Sequence, residues 1–423
     1  MQEDVLHYIW KHKKLDVLSL RTTQDEVVEI ISVGRHNFNS GPDFFNAQLK
    51  IGNQLWAGNV EIHIKSSDWY VHNHEQDVAY DNVILHVVHE HDTDVFRKNN
   101  TVIPTLELKN VINPQVLANY DRLFSKGHKW INCEADIQDI DNFVVSNWLQ
   151  RLFIERLERK SKLIEELLKQ SKNDWEAVLF KMLTKSFGLK VNGEAFLSIA
   201  NSIDFSVIRK VQSNQEQLES LLFGQSGLLD TPNSEPYYHM LKSNYEFLSQ
   251  KFQLENTHLT PLQFFRLRPP NFPTIRLSQL ATLYAQEPNL FSKVIEINSV
   301  EEFYKVFRVG TSNFWKSHYT FDKISKTSEK RLTTAFVDLI LINTILPLKF
   351  CYAKHQGMGL GDEISELMGQ IKPEVNGITK GFERLKVKTD SALDSQALIQ
   401  LKSEYCDKNR CLQCAIGNSL LGK

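Results

Sequence analysis

Cysteine and proline are scarce: five Cys and 12 Pro in 423 residues. Five thiols do not form the dense, even-numbered disulfide framework of a small secreted domain, and a chain of this length can bury a core without such staples. An excess of charge of one sign is also missing. The 49 Lys+Arg against 51 Asp+Glu leave a net charge of -2, so the whole chain offers no electrostatic case for nucleic acid, only room for a local basic cleft. Long apolar runs are absent too. The most apolar stretch, Ala335 to Phe350, is broken by Asp338, Asn343, Pro347 and Lys349 and is shorter than the roughly 20 apolar residues of a membrane span, so it reads as a buried helix. Glu3 and Asp4 stand where a signal peptide would carry positive charge, and no apolar signal core follows. Cytoplasmic localisation without membrane association is the expectation. No G-x-x-x-x-G-K-[ST] loop is found, which disfavours an ATP-driven motor within this chain.

What is present reads as a folded globule of two or three parts, with 42% hydrophobic and 24% charged residues. Residues 3–13 form an amphipathic helix pattern through Val5, Leu6, Ile9 and Trp10, which places Glu3 and His7 on one side. Strand-like runs follow at 26–33, 44–51, 54–66, 83–89 and 102–108, punctuated by Gly34, Gly41-Pro42, Gly52-Asn53 and Asp81-Asn82. Residues 68–80 read as a surface helix or helical turn, with Asp68 as its N-cap. After about Asp136 the pattern turns helical, most clearly over 144–168. The expectation is an α/β domain with a mixed sheet over 1–135, then a mainly helical region over 136–423, with a further division placed near 320.

Chemistry concentrates in residues 39–70. Gly41-Pro42 signals a turn that leaves Asp43 at a strand entrance. In Val60-Glu61-Ile62-His63-Ile64-Lys65, period-two geometry sends Glu61, His63 and Lys65 to one face. The Gly52-Asn53 turn makes the two strands a hairpin, so that Asp43 can meet that polar face. Two carboxylates, with Glu3 as a third, are hard-oxygen ligands suited to Mg²⁺ or Mn²⁺. His63 or Lys65 could then orient water or stabilise a phosphoryl transition state. An edge strand laced by salt bridges is the bland alternative.

These residues resemble the PD-(D/E)xK nuclease superfamily: Pro42-Asp43 is similar to its PD element, Glu61-Ile62-His63 to E-x-K with histidine at the lysine, and Glu3 to the acid of its first helix. Gln76 and Tyr80 resemble the Q-x-x-x-Y element of some branches. The resemblance implies a restriction-endonuclease-like core, a divalent ion, DNA or RNA as substrate, and Gln76 and Tyr80 as substrate-orienting groups. Residues 3–89 also resemble a bacterial family that carries only a domain-of-unknown-function label. The departure at His63 leaves open a noncatalytic nucleic-acid or protein interaction module built on a degenerate nuclease core.

Nine of the 14 histidines fall by residue 91. His72-x-His74 with Asp77 reads either as a transition-metal cluster or as hydrogen-bonding groups in a cleft wall. At the other end, Cys406, Cys411 and Cys414 form C-x4-C-x2-C. With Cys133 or Cys351 as a distant fourth ligand they could hold zinc or an iron-sulfur cluster, as in a structural or DNA-repair protein, or they could be ordinary thiols. In the helical region, Arg266, Arg268, Arg276, Phe314-Trp315 and His318-Tyr319 are candidates for phosphate contact and base stacking, and the region could also bind protein partners.

Overall fold

The computed structural model describes residues 2–125, 127–256, 259–359 and 361–422. The chain gathers into two compact units, Met1–Trp148 with Leu401–Lys423, and Leu149–Gln400. Position 135 therefore lies inside the first unit, and the C-terminal segment returns to it.

The first unit opens with helix α1 (Glu3–Lys11), which buries Val5, Leu6, Tyr8, Ile9 and Trp10, with acids in its first turn and Lys11 in its last, as the helix dipole favours. Trp10 is pinned by donating its Nε1–H to Val33 O at 3.1 Å. Six strands form one sheet: β1 (Val28–Ser32), β2 (Arg35–His36), β3 (Phe44–Ile51), β4 (Gln54–Lys65), β5 (Val83–Glu90) and β6 (Thr105–Glu107), in the order β1-β3-β4-β5-β6 with β2 pairing β3. The β1, β3 and β4 pairings are antiparallel, and the β4–β5 and β5–β6 pairings are parallel. Ile51 pairs with Gln54 across the hairpin, and Gly52 at φ 57 supplies the left-handed residue such a turn needs.

The sheet is mixed as expected, but its central strand is not open to water on one face. Gly58 through His63 are all buried, as are Val83 through Val88 of the parallel neighbour. Parallel strands covered on both faces have this character, and it places Glu61 and His63 in the interior.

Of the two readings of residues 68–80, a surface helix or a helical turn, the structure has short helical turns and no continuous helix. Helix α2 covers only Asp68–Val71, Asn73 takes φ 59, and a 3₁₀ turn follows at Val78–Tyr80. Histidine, asparagine and aspartate are weak helix formers, asparagine tolerates the left-handed region, and Asp77 caps the later turn by accepting from Ala79 N–H at 2.8 Å. Ser67 takes the N-cap position assigned to Asp68; Asp68 is instead the first helical residue, and its Oδ2 accepts from Lys65 N–H at 2.9 Å. The last strand is shorter than expected, because Val102 only bridges Phe96 before β6 begins. Helix α3 (Pro114–Leu123) completes the cover, and α4 (Asn142–Gln170) contains the boundary between the units.

The second unit is built chiefly of helices, and position 320 lies inside it. The segment Thr334–His355 is long and apolar enough to cross a membrane, yet 72% of its apolar window is buried inside the protein. Two of the nucleic-acid candidates are also buried. Arg276 bonds Gln279 and Asn271 and lies 3.6 Å from the Phe336 ring centroid, and Trp315 donates to Glu219 Oε1 at 2.5 Å. Neither can meet a phosphate or a base from that position, whereas Arg266 and Arg268 are exposed.

Candidate metal centre

Four segments of the first unit meet beneath α1. The β3–β4 pairing contains a bulge between Phe44 and Ala47, where Asn46 takes φ 56 and donates to Asn59 Oδ1 at 3.3 Å. A bulge re-aims the residues beside it, and here Asp43 lies alongside Glu61. The two lock reciprocally: Asp43 N–H donates to Glu61 Oε2 at 3.1 Å, and Ile62 N–H donates to Asp43 Oδ2 at 2.9 Å. From α1, His7 Nε2 comes within 3.2 Å of Asp43 Oδ2. Glu3, one turn earlier, lies within reach of the His7, Asp43 and His72 charges.

The third and fourth segments bring imidazoles. His63 follows Glu61 on β4, while His72 and His74 flank Asn73 in the turn after α2. The ligating atoms of His63, His72 and His74 all lie within 4.8 Å of one another. His63 Nε2 is 3.1 Å from His72 Nδ1, and Glu61 Oε1 is 3.5 Å from His63 Nε2 and 3.3 Å from His74 Nε2. Ligands at bond lengths of about 2.0–2.1 Å around a tetrahedral ion are separated by ~3.3–3.4 Å, so this spacing suits one metal ion. One buried nitrogen supports that fit. His74 Nε2 has no hydrogen-bond partner, although Glu61 Oε1 lies 3.3 Å away, as suits a lone pair aimed at a cation.

The electrostatics follow from burial. Glu61 and His63 retain 5% and 1% of their surface. Burial and then the Asp43 charge push the Glu61 carboxyl far above the usual range. Burial, His74 and His72 hold His63 down to about 3, and burial with His63 keeps His86 well below its ordinary value. Both rings are therefore neutral near pH 7. His63 Nδ1 is 2.8 Å from His86 Nε2. A proton on Nδ1 donated to His86 leaves the His63 Nε2 lone pair facing His72 and Glu61, the arrangement by which an outer partner fixes a ligand's tautomer. Burial alone would lower His7, but Asp43 and Glu3 outweigh it and raise His7. Tyr80, stacked on His74 at 3.8 Å, is held as a phenol by burial and by the Glu61 and Asp43 charges.

Among the residues singled out from sequence, Glu3, Asp43, Glu61, His63 and Tyr80 are thus gathered in one place. Lys65 is exposed at the end of β4, where its charge acts on Asp92. Gln76 is exposed and bonds Glu75, not Tyr80. The profile of one protein family matches residues 3–377. The chain belongs to that family, described as protein of unknown function (DUF2851). No curated protein and no solved structure matches the chain. In this DUF2851 chain, sequence reasoning placed the carboxylates at one site and read His72 and His74 as a separate candidate cluster with Asp77, but joined neither them nor His7 to Glu61 and His63. The signal for them was the histidine crowding of the first 91 residues.

Proposed function

We propose that the chain is a divalent-metal-dependent hydrolase of phosphodiester bonds in DNA or RNA. The observation that carries the reading is the reciprocal lock of Asp43 and Glu61 facing three converging imidazoles. The mixed sheet flanked by helices is compatible with it, being the kind of fold that the PD-(D/E)xK resemblance implies, with Asp43, Glu61 and Glu3 as its acids. His63, His72, His74 and Glu61 would hold the ion, with Asp43 alongside. Imidazoles favour Mn²⁺ or Zn²⁺ over Mg²⁺, and Mn²⁺ also suits the carboxylates.

A bound ion supplies charge neutralisation and a more acidic water. The protein's own groups do the rest. His63, neutral because it is buried, acts as a ligand and leaves the cationic role of the missing lysine to His7. His7 can place positive charge against a phosphoryl oxygen, because Asp43 and Glu3 favour its protonated form. The Tyr80 phenol keeps its proton and can donate to substrate oxygen. Glu3 and Asp43 can accept a hydrogen bond from the attacking water and align it.

The test is cleavage of a panel of single- and double-stranded DNA and RNA, abolished by EDTA and restored by Mn²⁺. Asp43→Asn and Glu61→Gln should each remain folded and lose roughly 100-fold or more in rate. Protein loaded with the ion that cleaves nothing in the panel would overturn the hydrolase reading in favour of a metal-dependent interaction module.

A further inference from the structure

Within the first unit a second cluster of metal-ligating side chains lies apart from the histidines, and it does not depend on the hydrolase reading. Cys406 ends a π-helical turn over Leu401–Cys406, Cys411 opens a 3₁₀ turn over Cys411–Gln413, and Cys414 is the N-cap of the C-terminal helix Ala415–Leu421. Cys133 comes from the loop after α3. These four cysteines, with Ile131 and Leu401, line one cavity, and all four are free.

Buried thiols alone can be plain apolar filling. Here polar donors are directed at the sulfurs. Asn132 Nδ2 donates to Cys411 Sγ at 3.4 Å. Trp148 and the backbone N–H groups of Ile416 and Gly417 direct donors at Cys414. Lys129 and Lys402 bring positive charge near Cys411 and Cys406. Gly417 permits the arrangement: a Cβ there would stand 2.1 Å from Cys411 O, so only glycine lets the turn bearing Cys411 close onto the last helix.

Four cysteine sulfurs around one cavity are the ligand set both of a tetrahedral zinc ion and of an iron-sulfur cluster.

We propose that Cys133, Cys406, Cys411 and Cys414 ligate one thiolate-bound metal centre, a zinc ion or an iron-sulfur cluster, that clamps residues 401–422 to the rest of the first unit. The test uses the full chain, purified without oxygen and reconstituted either with ferrous iron and sulfide or with zinc. An iron-sulfur centre should retain iron and acid-labile sulfide in about equal amounts, with broad visible absorbance that bleaches on reduction, whereas a zinc centre should retain zinc and no labile sulfide. Cys133→Ser and Cys411→Ser should each lose that centre, whereas Cys351→Ser, in a second-unit helix, should keep it. Should those variants misfold, the wild-type chain still decides: metal removal should expose these thiols to alkylation and residues 401–422 to protease. Folded chain that takes up no cysteine-dependent metal in either reconstitution and is unchanged in protection would overturn the proposal.

Discussion

Glu61 is the residue at which stability and chemistry oppose one another. Its carboxyl is raised in the fold, so relative to the unfolded chain it is harmless below the ordinary carboxylate range and increasingly destabilising as pH rises above it. A bound cation removes that penalty. Glu61→Gln should therefore stabilise the metal-free protein at pH 7–8 by about 1–3 kcal/mol, since the amide can still accept from Asp43 N–H while donating toward a neutral imidazole, and it should weaken metal binding. Thermal unfolding with and without chelator checks both, and a metal-free variant less stable than wild type would contradict the assignment. His63 works in the opposite direction. Its value is depressed from 6.5 to about 3, so the unfolded state binds the extra proton, and the stability it contributes above 6.5 is lost as pH falls across that window. Buried His86, shifted the same way, adds to the loss. Urea midpoints of the metal-free protein should fall steadily from pH 7 to pH 4.

The elements show what the sequence made legible at the site. The meeting of Asp43 and Glu61 could be read because a Gly-Asn turn fixes a hairpin register and strand periodicity fixes the face. The histidine trio could not, because it depends on one backbone choice: a turn at Asn73, in the left-handed region, where composition left a helix or a turn open. A helix separates positions 72 and 74, whereas this turn brings both rings to His63. Asn73→Gly should leave metal affinity nearly unchanged. Asn73→Ala should cost about 1 kcal/mol in stability and lower affinity measurably by calorimetric titration; equal affinity in the two variants would show that the turn does not set the site. Burial of β4 on both faces escaped the sequence for a related reason, since Glu61 and His63 mimic the polar half of an alternating strand.

At the scale of the whole molecule, the change from sheet to helix was legible from periodicity, but the return of the C-terminus was legible only through Cys133 as a candidate partner of Cys406, Cys411 and Cys414, because the apolar residues of that segment do not specify their long-range partners. That segment buries Leu401, Ile416, Leu420 and Leu421, each worth about 1.5–3 kcal/mol when fully covered. A chain ending at Gln400 should therefore lose the unfolding transition of the first unit, while the second keeps its own, as calorimetry would resolve. Two intact transitions in that shortened chain would show that the segment contributes little.

His72 is exposed, while His63 and His74 are buried. The ligand set is thus lopsided, with two imidazoles fixed in the interior and one at the solvent boundary. Exchange of the ion with bulk solution should pass through this outer ligand, so the lifetime of the bound ion and its affinity become separately adjustable. His72→Ala should speed release to a chelator by about 10-fold or more, with a smaller change in the rate of uptake, as stopped-flow competition would record. An ion held in this way would exchange with the free metal pool faster than one enclosed by three buried ligands.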